Sequence, residues 1–316
     1  MAVALAALVA AGAFAAAEKG EPRAELRVGS YNIRYSRGDR GTENAWEARR
    51  DDLAALVRKM NLDVAGLQEV EPCQAAYLTN ALPRYALFGD FRNADRASGE
   101  ASPILYVKER FSLEDGGTFW LSETPDKPGS RGWGAHRPRV CTWAILRDRE
   151  SGARFCFANT HTDHESRLAR QEGMRLILEK RLGSIMQGGM TTILTGDHNC
   201  IETEEASQIA ARHLKNALYL SETTPAGPWR SLNCWGWKDS EVPCGDAWRK
   251  PMAERNARAK DGSGAKRYAY GGLRIDYIYV SDGVKVKSYS TYADARPGKK
   301  LYPSDHFPVA ATLVLP

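Results

Sequence analysis

Two β-type runs, "RVCTWAILRD" and "RFCFANTH", follow one another in this chain with little more than Glu150-Ser151-Gly152 to join them. So short a connection can link only antiparallel neighbours, because a parallel pair needs a crossover of a dozen or more residues. Elsewhere the pattern is of crossovers. "AELRVGSYNIR" reads as a strand, and residues 44–60 as a helix with Leu53, Leu56, Val57 and Met60 at i, i+3, i+4, i+7 spacing. "DVAGLQEV" and "PILYVK" are further strands; a long helix is expected from Glu165 to Met186, then the strand "TTILTG" and a helix near 203–214. "LRIDYIYVS", "VKVKSYSTY" and "PVAATLVL" complete the set. Hairpins mixed with helical crossovers predict an α/β fold with mixed sheets and exclude a single purely parallel one.

The 316 residues, 43% hydrophobic and 26% charged, are ample for a large core. No repeat or linker divides the chain, so one domain is expected over 24–316. The net charge of +5 leans toward anionic partners without naming one. Residues 1–17, "MAVALAALVAAGAFAAA", carry no charge and end in three alanines. That stretch is short for a membrane span, which needs about 20 residues, and fits a signal peptide. The expectation is a secreted or periplasmic protein with no transmembrane segment. Of the six cysteines, Cys141, Cys156 and Cys200 lie in or beside apolar strands and read as buried thiols. Cys234 and Cys244 lie ten positions apart across a loop and are the expected disulfide, if one forms.

One segment breaks the rhythm. From about residue 228 to 270 there is no periodicity, only Trp, Gly, Pro and charge. Eight basic residues lie between Arg249 and Arg274 against two acidic ones, with Trp229, Trp235, Trp237 and Trp248 just before or at its edge. Cations beside flat aromatics suit a nucleotide or single-stranded nucleic acid; a solvated loop whose tryptophans pack on the domain is the plain alternative.

Several strands end in residues that strands do not ordinarily favour: Asn32, Glu69, His161 and Asp163, then Asp197 and Asn199. Asp305 and His306 stand at the entry of the last strand. Asp276 shares a strand face with Ile278 and Val280. A carboxylate among aliphatics is costly unless paired, and His306 is the candidate partner.

In order along the chain, "SYNIR", "LQEV", "NTHTDH", "TGDHNC", "IDYIYVS" and "YPSDHFPV" resemble the motifs of the endonuclease/exonuclease/phosphatase superfamily of metal-dependent phosphohydrolases. The stretch "GTFWLSETPDKPGSRGWGAHRPRVCTWA" is similar to its exported bacterial branch. The resemblance implies a four-layer α/β/β/α sandwich of two packed mixed sheets, with the active site at one end. It implies a phosphoester hydrolase, phosphodiesterase or nuclease-like, acting as a single chain on a phosphoester substrate. A small-molecule phosphatase, a sphingomyelinase-like hydrolase and a non-catalytic binding module are the alternatives. Glu69 would be the main ligand of Mg2+ or Mn2+, with Asn32 and Asp305 binding metal or fixing ligands. Asp197 would orient and deprotonate the attacking water, and Asn199 would steady the phosphate. His306, held by Asp276, would be general base or phosphate donor; His161 would donate to the phosphate or protonate the leaving group. Arg139 would clamp phosphate, or else form a surface salt bridge. Asp163 would hold the loop that bears His161.

Three departures stand out. The family's common "GDFN" reads "GDHN", which places His198 between two functional positions; period two turns its side chain away from them, toward a structural role. Arg34 stands where DNA-repair members carry a metal-binding Asp. "KRYAYGG" replaces a "TFHGF"-like segment ahead of "IDYIYV".

Overall fold

The computed structural model describes residues 24–235 and 273–316, and the backbone of two short strands at 258–259 and 267–268. The expected signal peptide, Cys244 and most of the irregular segment lie outside the described residues. Cys234 is a free thiol, as are the buried Cys141, Cys156 and Cys200.

The chain runs β1 (Glu25–Asn32), α1 (Trp46–Met60), β2 (Val64–Gln68), α2 (Pro72–Ala81), β3 (Tyr85–Phe88), β4 (Ile104–Val107), β5 (Phe111–Trp120), β6 (Val140–Asp148) and β7 (Arg154–His161). Next come α3 (Arg167–Arg175), a π-helical turn (Leu176–Arg181), α4 (Gly183–Gln187), β8 (Thr192–Asp197), α5 (Glu205–His213), β9 (Lys215–Asn216) and α6 (Ala217–Leu220). The pair β10 (Arg258–Ala259) and β11 (Arg267–Tyr268) precedes β12 (Asp276–Val280), β13 (Lys285–Thr291) and β14 (Val309–Val314). The single helix expected over 165–186 is thus broken into α3, a π turn and α4.

Two six-stranded sheets pack face to face, ordered β13-β14-β1-β2-β4-β3 and β5-β6-β7-β8-β12-β9. Each contains one parallel pair, β1 with β2 and β7 with β8; every other pairing is antiparallel. The helical crossovers and the β6–β7 hairpin therefore occupy the roles expected of them. Helix α1 buries Leu53, Leu56, Val57 and Met60 in the core of the first sheet. Met174 of α3 and Ile209 and Ala210 of α5 join Cys156, Ala158 and Leu194 of the second sheet. The result is the four-layer sandwich.

Alternation along the strands grades the space between the sheets. Leu26 and Val28 of β1, Phe155 and Phe157 of β7, Ile193 of β8, and Ile278 and Val280 of β12 share one apolar cluster. Two residues further toward one end, the same face turns polar. Gln68 donates to Asn159 Oδ1 (2.7 Å) and Ser30 Oγ (3.1 Å), while Asn159 donates to the carbonyls of Leu67 (2.7 Å) and Pro103 (3.0 Å). Thr195 Oγ1 lies 3.2 Å from Asn159 Oδ1. All these side chains are buried, so their hydrogen bonds fix how the sheets sit on one another. Two residues further still come Asn32, His161 and Asp197.

This polar layer leaves no room beside Gly66. A Cβ there would lie 2.2 Å from both Asn159 Oδ1 and Thr195 Oγ1. Gly66→Ala is therefore expected to destabilise the fold by about 1–3 kcal/mol, the usual cost of overpacking. A lower urea midpoint with an unchanged slope is the measurement that checks it.

Candidate active site

Strand direction brings the polar residues together. The parallel pairs end at Asn32 and Gln68 in one sheet and at His161 and Asp197 in the other. Strand β12 runs antiparallel to β8, so its first residue, Asp276, sits opposite Asp197. Strand β14 runs antiparallel to β1 with Val309 opposite Ser30, which sets His306 and Asp305 at the same end. These ends floor a cleft of about 770 Å³, whose lining includes Glu69, His161, Asp197, Asn199, Asp305 and His306.

At its centre three buried groups meet. His306 Nδ1 lies 2.8 Å from Asp276 Oδ2, and its Nε2 is 3.7 Å from Asp197 Oδ2. Burial works against the charge on His306, but Asp276 and Asp197 outweigh it and hold its pKa well above the ordinary value. Burial, reinforced by Asp276, pushes Asp197 up to about 7, against the pull of His306. His161 Nε2 lies 3.5 Å from the same Asp197 oxygen and 2.8 Å from Asn199 Nδ2. Burial, with Arg139 and Arg92 nearby, lowers its pKa well below the ordinary value. The two histidines are thus driven toward opposite charge states.

On the other side stands Glu69, at φ 62° just past β2. Its carboxylate accepts from Asn32 Nδ2 (3.1 Å) and from the Tyr35 amide (2.8 Å). Asn32 also donates to Asp197 (2.9 Å), while its Oδ1 accepts from the Arg34 amide. It therefore steadies two carboxylates. Burial and the nearness of Glu69 raise the pKa of Asp305, although His306 and Arg34 oppose the shift. Glu69 and Asp305 offer hard oxygen donors to the cleft, which suit Mg2+ or Mn2+. Glu69 and Asp305, with Asn32 supporting, fit such an ion. Asp197, Asp276 and His306 are also close enough to one another to hold a metal ion.

Neighbouring parts fall into supporting places. Buried Arg49, on α1, donates to the carbonyls of Ile33 (2.6 Å), Arg34 (2.7 Å), Asn44 (2.9 Å) and Pro303 (2.9 Å). It ties the exit of β1 to the loop bearing Asp305. Arg34, a departure from the family pattern, pairs with Asp39 (2.9 Å) and Asp305 (3.4 Å). Asp163 stays out of the centre: it accepts four backbone amides, from His136, Arg137, Glu165 and Ser166, at 2.9–3.4 Å. Arg139 is no surface ion pair. It is 6% exposed, lines the cleft and donates from Nη2 to His164 Nδ1 (2.9 Å). Sequence reasoning missed Arg49, Arg92, Glu100, Arg137 and His164. Arg137 stands within "GAHRPRV" and His164 closes "NTHTDH", whereas Arg92 and Glu100 lie in an aperiodic loop.

The chain belongs to the endonuclease/exonuclease/phosphatase family, whose pattern it matches over residues 29–306. Members are hydrolases of phosphoesters and generally depend on a metal. A family protein from Bacteroides thetaiotaomicron is 30% identical, with a TM-score of 0.77 over 93% of this chain and 99% of its own. A mannosyl-6-phosphatase from Bacteroides thetaiotaomicron VPI-5482 is also 30% identical, with a TM-score of 0.75 over 92% of this chain and 100% of its own. D. rerio TDP2, complexed with single-strand DNA product, shares the fold at 15% identity and a TM-score of 0.63, covering 92% and 98%. Among curated proteins none is significantly similar in sequence.

His198 points away from the cleft, as alternation requires. It stacks on Tyr279 (centroids 5.6 Å apart, planes 5° apart) and lies against Tyr277, with neither ring nitrogen bonded to another protein group. Burial lowers its pKa to about 4, although Asp276 opposes the shift. Above pH 6.5 both folded and unfolded chains carry it neutral, so its contribution is complete. As pH falls toward 4 only the unfolded chain takes up the proton, and about 3 kcal/mol is lost. His198→Phe removes this loss. Its stability advantage over wild type, read from urea midpoints, is expected to widen steadily between pH 7 and pH 4.

Proposed function

We propose that this protein is an exported, divalent-metal-dependent hydrolase of small phosphorylated molecules. The observation that carries this reading is the meeting, in one cleft, of Glu69 and Asp305 with Asp197 and two histidines in opposite charge states. The likeness to a mannosyl-6-phosphatase over nearly the whole of both chains supports a phosphorylated sugar or similar compound. The apolar, uncharged opening of the chain supports export.

Glu69 and Asp305 would hold Mg2+ or Mn2+, whose charge would neutralise phosphate oxygens that otherwise repel a nucleophile. The chain's own groups do the rest. Asp197, titrating near neutrality, is suited to take a proton from an attacking water while Asn199 amide geometry fixes its carboxylate. His306 presents a charged N–H toward the phosphate, and Asp276 keeps its other nitrogen engaged. His161 stays uncharged and adds a hydrogen bond without a second positive charge beside Arg139. Arg139 clamps a phosphate oxygen from the wall.

A diester reading, extending to nucleic acid, rests on the irregular segment. Leu232 and Ile275, on either side of residues 236–272, both line the cleft, and Ser231 joins the flanks through the Ile275 and Asp276 amides (3.0 Å each).

Glu69→Gln keeps the side chain's shape and loses the charge that draws the cation. Turnover is expected to collapse and the Mg2+ requirement to rise, with the melting temperature near wild type; steady-state rates across a Mg2+ titration, with a chelator control, check this. For the buried pair, His306→Ala is expected to lower kcat by about 10²–10⁴. Because the two residues act as one unit, the further change Asp276→Asn should add little. Multiplicative losses in the double variant would show that they act independently.

A further inference from the structure

The wall beyond His161 holds more positive charge than its carboxylates balance. Arg92, Arg137 and Arg139 all line the cleft there. Glu100 is shared: its Oε2 lies 2.7 Å from Arg92 Nη1 and 4.0 Å from Arg139 Nη1. Asp163 reaches Arg139 Nε only at 3.6 Å and is already taken by backbone amides. Burial lowers the pKa of Arg92; Glu100 opposes this, but Arg139 and Arg137 add to it. The pKa of Glu100 is raised, by burial and by Glu69, despite two adjacent guanidiniums. Arg139 leaves its buried Nε without a hydrogen-bond partner and spends Nη2 on a neutral imidazole. Arg137 is exposed, and among the described residues its side chain has no ion-pair partner.

Glu100 and Asp163 offset two of these three charges, and an anion from outside would complete the group at Arg137. The loop that carries two of them is built to keep them in place. Pro138 separates Arg137 from Arg139, and Asp163 fastens the amides of His136 and Arg137. One phosphate at the centre is served by His306, His161 and Arg139; beyond them stand Arg137 and an Arg92 that shares its charge with Glu100. We infer that Arg92 and Arg137, with Arg139 between the two positions, form a second anion subsite, so that the preferred substrate carries a further phosphoryl group beside the one hydrolysed. Guanidinium forks match phosphoryl oxygens and lose little of their own hydration in doing so. This rests on the phosphoester-hydrolase reading and specifies its substrate class.

The test uses two matched pairs that differ by one phosphoryl group: glucose 6-phosphate with glucose 1,6-bisphosphate, and thymidine 5′-(p-nitrophenyl phosphate) with its 3′-phosphorylated form. Wild type, Arg137→Ala and Arg137→Lys are compared by kcat/KM with Mg2+. Binding is measured by calorimetry on the same proteins with Ca2+ in place of Mg2+. In at least one pair the added phosphoryl group is expected to improve wild-type kcat/KM or affinity about tenfold or more, the size of a charge-assisted hydrogen bond. Arg137→Ala should remove most of that gain and Arg137→Lys retain part of it, with melting temperatures alike. The pair that responds tells a small bisphosphate from a nucleotide backbone. Equal ratios within both pairs in wild type and Arg137→Ala overturn the subsite while leaving hydrolysis standing. If no compound is turned over, the hydrolase reading falls, and calorimetry alone decides the subsite: binding indifferent to the second phosphoryl group overturns it.

Discussion

The site depends on one pairing of strands. Because β12 lies antiparallel to β8 with Asp276 opposite Asp197, two carboxylates are forced into a buried space with a single imidazole between them. Neither carboxylate can leave, since each occupies a face whose other members are fixed in the core. Repulsion is relieved by protons instead: His306 keeps one, and Asp197 takes up another near neutral pH. A one-residue slip of β12 in this register would send Asp276 to the helix side, where Tyr277, Tyr279 and His198 now pack. The tight polar layer around Gly66, Gln68, Asn159 and Thr195 guards against sliding of the sheets, as the strand pairing guards against slip within one.

Much of this was legible from period two alone. Asp276 shared a face with Ile278 and Val280, which required a partner, and His306 is that partner. His198 was turned outward by the same rule. The mixed sheets followed from the hairpin and the crossovers, and the layered sandwich from the resemblance. Other elements were hidden for physical reasons. Strand β5 contains Glu114, Asp115, Gly116 and Gly117, which read as a turn; it survives as a strand by a bulge after Leu113. Helix α2 has weak amphipathicity, although Pro72 at its start and the Glu71–Gln74 capping box were local signals that went unused. The π turn after Arg175 preserves the apolar stripe while breaking the regular helix, so periodicity could not reveal it.

For the site, strand ends were readable and loops were not. Asn32, Glu69, His161, Asp197, Asn199, Asp276, Asp305 and His306 converge because topology alone fixes strand ends in space. Arg49 acts on loops from within a helix, through carbonyls that carry no residue identity. Burial lowers its pKa to about 10, and Asp305, Asp39 and Glu69 among others oppose the shift, so it is charged at neutral pH. Arg92, Glu100 and Arg137 meet only because two aperiodic loops fold over the same cleft.

The cleft that results is divided by charge. Glu69, Asp197 and Asp305 make one side acidic; Arg92, Arg137 and Arg139 make the other basic, with His161 at the boundary. Arg34, paired with Asp305, places one positive charge on the acidic side as well. Burial first, and then Arg139 and Arg92 beside it, disfavour a charge on His161. His306, surrounded by Asp276, Asp197 and Asp305, is driven the other way. Two histidines that both approach Asp197 are thus driven to opposite charge, one buried beside guanidiniums and the other beside carboxylates.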